Sequence, residues 1–248
     1  MQFYRYRFQP KLIPTLATIL ALPILVSFGV WQSNKAQQKQ ALQDLYDVRS
    51  ALPPERLPTG FIDTENFRYK KIIVRGRFDP KYQILLDNRI NNEQAGYHVI
   101  TPFQIEGSEK YILINRGWIP LGMDRSQLPN IATPQGMLEV IGIATLPPSK
   151  IYELMKPEPI RGEWQTVWQN MDLKRYREAV PFQVQPIIVQ MDKDSEGGFM
   201  RVWPRPDNRI ETHLGYAFQW FGMAVMLVLF YLIVNIKKID DMDTHANE

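Results

Sequence analysis

A histidine stands where the second of two long apolar stretches begins, and aromatic residues follow it at helical spacing. Tyr216 and Trp220 come three and seven residues after His213, which places the three side chains on one face of an α-helix. We expect Thr212 to be the N-cap, so that His213 lies in the first turn, where the positive end of the helix dipole disfavours imidazolium. Neutral imidazole is the form that ligates iron, and a flat aromatic surface beside it suits a porphyrin. The spacing therefore makes His213 a candidate haem-iron ligand.

The same three residues have a second explanation that needs no cofactor. Tyrosine and tryptophan gather at membrane–water interfaces because their rings are amphipathic, and histidine can lie there for the same reason. The residue types alone leave both explanations open.

Arg116 and Trp118 form a second set of candidates in the centre of the chain. The segment from Asn115 to Pro120 is expected to leave a strand through Gly117. It is either a strand-ending turn with a core tryptophan, or a docking surface in which Arg116 and Trp118 anchor a partner, since both residue types are favoured at interface hot spots. His98 alternates within its predicted strand, and we expect it to be a structural residue.

Composition excludes several classes of chemistry. The chain has no cysteine and three histidines, which excludes disulfides, iron–sulfur clusters and thiolate zinc sites and argues against an all-histidine metal site. It contains no nucleophile elbow, Walker loop or dinucleotide-binding glycine pattern, and its acidic residues show no spacing typical of an acid/base pair. We therefore expect no catalytic residue. The net charge is +3, without a basic run interleaved with aromatics, so we expect no nucleic-acid partner either.

Two stretches without a charged residue, 12–31 and 214–236, have about the 20 residues that a helix needs to cross a bilayer. In lipid such segments must be helical, because the backbone has to satisfy its own hydrogen bonds. The first is longer than a signal-peptide core and lacks a small-residue cleavage site, so we expect a retained anchor. The predicted organisation is an N-terminal tail (1–11), a transmembrane helix (12–31), a helical stalk and linker (32–66), a β-rich domain (67–212), a second transmembrane helix (213–236) and a C-terminal tail (237–248).

The middle of the chain changes to short β-type runs separated by turn signals. Strands are predicted at 69–78, 81–87, 96–105, 111–115, 137–146, 164–170 and 186–191, and a short helix at 172–179 with Asp172 as its cap. Six or seven short strands predict a mainly antiparallel barrel or sandwich-like domain with a minor helix. The whole chain is thus predicted to be a membrane-anchored β domain flanked by two transmembrane helices.

Four motifs resemble those of a known family. They are Gly76-Arg77-Phe78-Asp79, Gly96 to Pro102, Asn115 to Pro120, and His213 to Phe221. Over nearly its whole length the sequence resembles the Surfeit-locus-1 type cytochrome oxidase assembly factors. The resemblance implies a non-enzymatic, multi-pass protein of the bacterial plasma (inner) membrane, with the central domain outside the cytoplasm and both termini in the cytoplasm.

The resemblance also implies what the protein does. Such proteins assist maturation of the haem–copper oxidase catalytic subunit at the stage of haem a insertion, and the resemblance implies His213 as the iron ligand. From the helical spacing we expect Tyr216 and Trp220 to line the bound macrocycle. The implied partners are the oxidase catalytic subunit, haem a synthase and membrane lipid. Glu211 and Thr212 stand where the family usually has an asparagine pair. Two alternatives are a cofactor-free scaffold for oxidase assembly and a membrane-anchored envelope hydrolase.

Overall fold

The protein is described from a computed structural model over residues 6–122, 127–147, 164–197, 199–206 and 209–238. It divides into a helical unit, Met1–Asp44 with Arg205–Glu248, and a β unit, Leu45–Pro204. The elements in chain order are β1 (Tyr6–Phe8), α1 (Leu12–Ala51), β2 (Glu55–Arg56), α2 (Thr64–Phe67), β3 (Lys71–Phe78), a 3₁₀ turn (Pro80–Tyr82), β4 (Ile84–Asn91), β5 (Gln94–Ile105), β6 (Tyr111–Pro120), β7 (Leu138–Thr145), β8 (Val167–Trp168), α3 (Leu173–Ala179), β9 (Val184–Met191), α4 (Ile210–Asn235) and β10 (Ile236–Lys238).

The helical unit contains two helices that are long and apolar enough to cross a membrane, α1 and α4. They run antiparallel to each other within one copy of the chain. At one end β1 and β10 form a two-stranded antiparallel ladder, with Arg7 opposite Lys237. Beside this ladder the Lys11 N–H donates to Oδ1 of the fully buried Asn235 at 2.6 Å. The two predicted apolar helices are confirmed. These contacts join the start of α1 to the end of α4.

Five strands of the β unit close into a barrel. Their hydrogen-bonded order is β3–β7–β9–β6–β5, and β5 pairs back onto β3 from Gly76↔Ile105 to Phe78↔Phe103. Four of these five interfaces are antiparallel, and the β6–β9 interface is parallel. The predicted mainly antiparallel β domain is confirmed, and closure between β3 and β5 makes it a barrel.

The barrel interior is filled by side chains that alternate along each strand. On β3 the residues Ile72, Val74, Gly76 and Phe78 are buried, and the residues between them are more exposed. This period of two places one face of each strand in the core. The interior cluster also contains Phe103, Ile105, Ile112, Ile114, Val140, Ala144, Ile187, Val189 and Met191.

A second apolar layer covers the outer face of β4, β5, β6 and β9. Helix α3 closes this layer with the fully buried Tyr176, whose hydroxyl donates to the Tyr82 carbonyl at 2.9 Å. Asp172 caps α3 by accepting a hydrogen bond from the Arg175 N–H at 3.0 Å, as the sequence predicts. The cluster under α3 contains Ile84, Leu86, Ile100, Leu113, Trp168, Met171, Val180, Val184 and Ile188.

Most strand boundaries lie within two residues of prediction, and larger differences occur at three places. The run predicted as 81–87 begins with a 3₁₀ turn, because Asp79 accepts from the Lys81 N–H and Pro80 presets the turn. Of the predicted strand 164–170, Val167 and Trp168 pair with β4. Strand β6 does not end at Asn115 but continues to Pro120.

The turn between β4 and β5 carries a weak sequence signal. Asn92 and Glu93 both have positive φ, at 46° and 62°, as a two-residue type I′ hairpin requires. Glycine is the usual second residue of such a turn, whereas glutamate is not. The sequence therefore leaves this hairpin unpredicted.

Candidate functional site

The histidine at the start of α4 contacts the other long helix. His213 Nδ1 lies 2.7 Å from Oε1 of Gln32 on α1. An amide oxygen accepts hydrogen bonds, so the imidazole donates from Nδ1, and in the neutral ring the lone pair then lies on Nε2. His213 Nε2 makes no hydrogen bond within the described residues. This is the tautomer that histidine uses when Nε2 binds a metal and Nδ1–H is held by a second residue.

Aromatic side chains continue the helix contact below His213. Trp220 stacks on Phe28 of α1 with ring centroids 4.8 Å apart and an angle of 28°. Gly29 leaves the space in which the Phe221 ring packs, since a Cβ at position 29 would lie 2.7 Å from that ring. Tyr216 is 48% exposed. Trp220 is therefore held by its contact with α1, whereas the Tyr216 side chain is exposed.

An apolar groove runs along α1 beside this aromatic contact. Its volume is about 480 Å³, and it is lined by Pro23, Ile24, Ser27, Phe28 and Trp31. Phe28 thus contributes to both the groove and the stack with Trp220. The helical unit combines an imidazole, a candidate nitrogen ligand, with aromatic rings and an apolar surface.

The predicted helix cap is wrong. Helix α4 begins at Ile210 with Arg209 in the N-cap position, so Thr212 is the third residue of the helix. The His213 N–H donates to the Arg209 carbonyl at 3.3 Å, which closes a helical turn. His213 remains within the first turn, as predicted.

Arg116 lies inside the β unit. Opposite the single residue Val99, β6 carries two residues, Arg116 and Gly117, because His98 pairs with Trp118 and Ile100 pairs with Asn115. This bulge turns Arg116 into the domain, where its side chain is 0% exposed.

The buried guanidinium of Arg116 holds two loops. It donates to the Ala132 carbonyl at 2.6 Å, to Thr133 Oγ1 at 3.2 Å and to the Gly197 carbonyl at 3.3 Å. The rings of Phe78 and Phe199 lie 5.0 and 4.8 Å from its central carbon. Burial, and secondarily the charge of Arg201, lower the Arg116 pKa to about 10, so the group stays charged at neutral pH.

Trp118 is also buried, with 6% of its surface exposed. Its indole N–H donates to the Arg89 carbonyl at 2.7 Å, and its backbone forms a bridge with Met200. Neither Trp118 nor Arg116 offers its side chain to a partner in this structure. Their burial favours the structural explanation and argues against direct docking through these two residues.

His98 is half-buried on β5. Its ring packs edge-on against Trp203 at 5.6 Å, and its Nδ1 lies 3.4 Å from the side-chain amide nitrogen of Asn115. Burial, with a further contribution from the charge of Arg89, lowers the His98 pKa from 6.5 to about 4. The described residues contain no group of three or more metal-ligating side chains that could hold an ion.

The low pKa of His98 predicts a pH-dependent loss of stability. The unfolded chain binds a proton at His98 below pH 6.5 and the folded chain below about pH 4, so stability present above pH 6.5 is lost as the pH falls toward 4. The loss from this residue reaches about 3 kcal/mol. We expect urea unfolding of His98→Gln in detergent to show a smaller drop between pH 7 and 4.5 than unfolding of the unchanged protein. Equal drops would contradict the prediction, since the carboxyl groups are common to both proteins.

Comparison with known proteins identifies the family. The profile of the SURF1 family matches residues 19–225, a range that includes the β barrel, Gln32 and His213. The chain belongs to the SURF1 family. The resemblance carried by the four motifs is thereby confirmed.

Several SURF1 relatives align over most of the chain. A SURF1-like protein of Rickettsia bellii is 27% identical over 224 residues, which cover 88% of this chain and 89% of the relative. Surfeit locus protein 1 of Xenopus tropicalis is 25% identical over 244 residues, covering 89% and 76%. The cytochrome oxidase assembly protein SHY1 of Saccharomyces cerevisiae is 28% identical over 185 residues, covering 71% of this chain and 47% of that protein.

The sequence alone does not reveal the α1 side of this candidate site. Gln32 and Phe28 contact His213 and Trp220 but lie 181 and 192 residues away in sequence. A polar residue directly after an apolar span is a usable signal, because glutamine needs a hydrogen-bond partner at such a position. This signal predicts that Gln32 has a hydrogen-bond partner, and the contact between the helices identifies that partner as His213.

Proposed function

We propose that this protein is an assembly factor for cytochrome c oxidase that takes up haem a at His213 and presents it to the oxidase catalytic subunit. Membership of the SURF1 family and the likeness to a yeast protein named for cytochrome oxidase assembly support the assembly role. The protein acts without catalysing a reaction of its own. Its partners are the catalytic subunit, haem a synthase as the donor, and the surrounding lipid.

The observation that carries the haem proposal is the His213–Gln32 hydrogen bond. It uses Nδ1 of His213 and leaves Nε2 without a hydrogen-bond partner among the described residues, at the end of an apolar helix pair. Haem iron takes an imidazole nitrogen as an axial ligand. The exposed ring of Tyr216 lies one turn along the same helix face, and Trp220 lies a further turn away.

The groove along α1 suits haem a in particular. Haem a carries a long isoprenoid tail, and Pro23, Ile24 and Trp31 line an apolar surface beside the Phe28–Trp220 stack. We propose that this groove takes the tail, whose packing against these side chains adds contacts that haem b lacks.

We place the protein in the bacterial inner membrane with both termini in the cytoplasm. The β1–β10 ladder supports a common side for the two tails, since it joins them directly. Arg7, Lys11 and Lys237 lie at this end, and positively charged flanks favour the cytoplasm. The β unit then lies on the outer side, where the oxidase subunit receives its haem.

The haem proposal predicts a loss of bound haem in His213→Ala. We expect protein co-expressed with the enzymes of haem a synthesis to lose about tenfold or more of its haem when this ligand is removed. Haem per protein is measured from the absorbance of the pyridine complex after purification in detergent. Leu214→Ala is the matched control, since Leu214 is an exposed neighbour on the same helix.

Two results would overturn parts of this proposal. An unchanged haem content in His213→Ala would eliminate His213 as the ligand. A haem-free protein that still restores oxidase assembly in a deletion strain would identify the protein as a cofactor-free scaffold.

A further inference from the structure

We propose that Gln32 is a positioning residue that holds the His213 imidazole as its Nδ1–H tautomer and keeps Nε2 available for a metal. This rests on the proposed function only in naming haem iron as the metal. The tautomer itself is a property of the chain and can be measured without haem.

The hydrogen bond has one chemically consistent direction. Oε1 of Gln32 is 2.7 Å from Nδ1 of His213, and the amide oxygen can only accept. A neutral imidazole has a single ring proton, so a proton on Nδ1 leaves Nε2 unprotonated. A histidine that ligates through Nε2 needs this form, and a second residue on Nδ1–H also sets the ring orientation.

Other contacts between the helices fix Gln32 opposite His213. Thr15 and Tyr231 hydroxyls are 3.0 Å apart, and the Phe28–Trp220 stack lies between that contact and Gln32. The residue numbers of the contacting pairs increase along α1 while they decrease along α4, as antiparallel helices in a constant register require. Sliding of one helix past the other would break these contacts together. Gln32 therefore does not need to find His213 by its own flexibility.

The apolar surroundings strengthen the case for this pair. Gln32 directly follows the apolar run that ends at Trp31, and an unpaired amide or imidazole N–H in such surroundings costs free energy. The pair satisfies one polar group on each helix. Breaking it frees the ring to adopt the other tautomer, in which Nε2 carries the proton and cannot bind a metal.

The choice of an amide over a carboxylate fits a protein that must release its ligand. A carboxylate on Nδ1–H makes the histidine more basic and strengthens its metal bond. The neutral amide of Gln32 orients the ring and adds no charge. We therefore expect Gln32→Glu to hold haem more tightly and Gln32→Leu to hold it less tightly than the unchanged protein.

The first test is the nitrogen NMR spectrum of the full chain in detergent, without haem and with ¹⁵N-labelled histidine. The chain has three histidines, and the His213 signals are those missing from His213→Ala. We expect a protonated Nδ1 and an unprotonated Nε2 in the unchanged protein, and a mixture of tautomers in Gln32→Leu. Gln37→Leu is the matched control, because Gln37 is an exposed glutamine on the same helix.

Each outcome of this test decides the proposal. A dominant Nε2–H form in the unchanged protein overturns it without reference to any variant. An Nδ1–H form that persists undiminished in Gln32→Leu also overturns it, because another contact would then set the tautomer. A dominant Nδ1–H form in Gln32→Glu, together with its loss in Gln32→Leu, supports the proposal, since glutamate keeps an acceptor oxygen at position 32.

The second test separates the positioning role from the haem proposal. Haem a loss to excess apomyoglobin is expected to be about tenfold faster from Gln32→Leu, and slower from Gln32→Glu, than from the unchanged protein. If His213→Ala binds as much haem as the unchanged protein, the proposed function fails while the NMR result still stands. If His213→Ala loses haem but Gln32→Leu releases it at the normal rate, the positioning role fails and the proposed function stands.

Discussion

Replacing Gly76 with alanine is expected to open the barrel. A Cβ at this position would lie 1.9 Å from the Gln104 carbonyl oxygen and 2.7 Å from the Phe103 ring. The oxygen belongs to the backbone of β5, which cannot move away without breaking the β3–β5 pairing that closes the barrel. Strand separation would then expose interior residues such as Ile72 and Val74 to water. We expect a loss of about 4 kcal/mol or more in the free energy of unfolding.

Urea unfolding of the full chain in detergent, followed by tryptophan fluorescence, measures this loss. Gly60→Ala is the matched control, since a Cβ at Gly60 would meet no atom within 4 Å. We expect this control to stay within about 0.5 kcal/mol of the unchanged protein. Equal unfolding midpoints for Gly76→Ala and Gly60→Ala would show that the closure does not depend on Gly76.

Replacing Arg116 with methionine is expected to release two loops of the β unit. The change leaves the Ala132 and Gly197 carbonyls without their donor and removes the charge that lies between Phe78 and Phe199. A hydrogen bond from a charged donor contributes about 1.5–3 kcal/mol. We expect a total loss of about 3 kcal/mol, measured by urea unfolding, and faster proteolysis near Ala132 and Gly197.

Arg77→Met is the control for this prediction. Arg77 is an exposed arginine on β3 whose side chain donates to Gln104 Oε1 at 2.9 Å, and its loss should cost less than about 1 kcal/mol. Stability separates the two explanations for Arg116. A stable Arg116→Met that no longer binds the oxidase subunit would restore Arg116 as a docking anchor, whereas a destabilised protein confirms its internal role.

Features that depend on local chemistry were predictable from the residues. The two apolar helices follow from length and the absence of charge, and the cap at Asp172 follows from its side chain. Strands 3, 5, 6, 7 and 9 follow from short apolar runs between turn signals. In each case a segment's own sequence decides its state, because the periodicity or the cap lies within about a dozen residues.

Features that depend on distant pairing were not predictable in this way. The burial of the Arg116 and Trp118 side chains depends on a bulge opposite Val99, which shifts the register of β6 against β5. The hairpin at Asn92 and Glu93 depends on positive φ angles at both residues, which glutamate in particular does not predict. Register across a sheet is set by both strands together, so neither strand's sequence specifies it alone.

The sequence by itself determined that two apolar helices flank a β domain and that a histidine lies in the first turn of the second helix. Only the tertiary structure decided that the strands close between β3 and β5 and that His213 faces Gln32. The reason is the separation along the chain. Helix and strand formation are local, whereas closure and helix pairing join distant groups, such as Gln32 and His213, which are 181 residues apart. Only packing of the whole chain selects those partners.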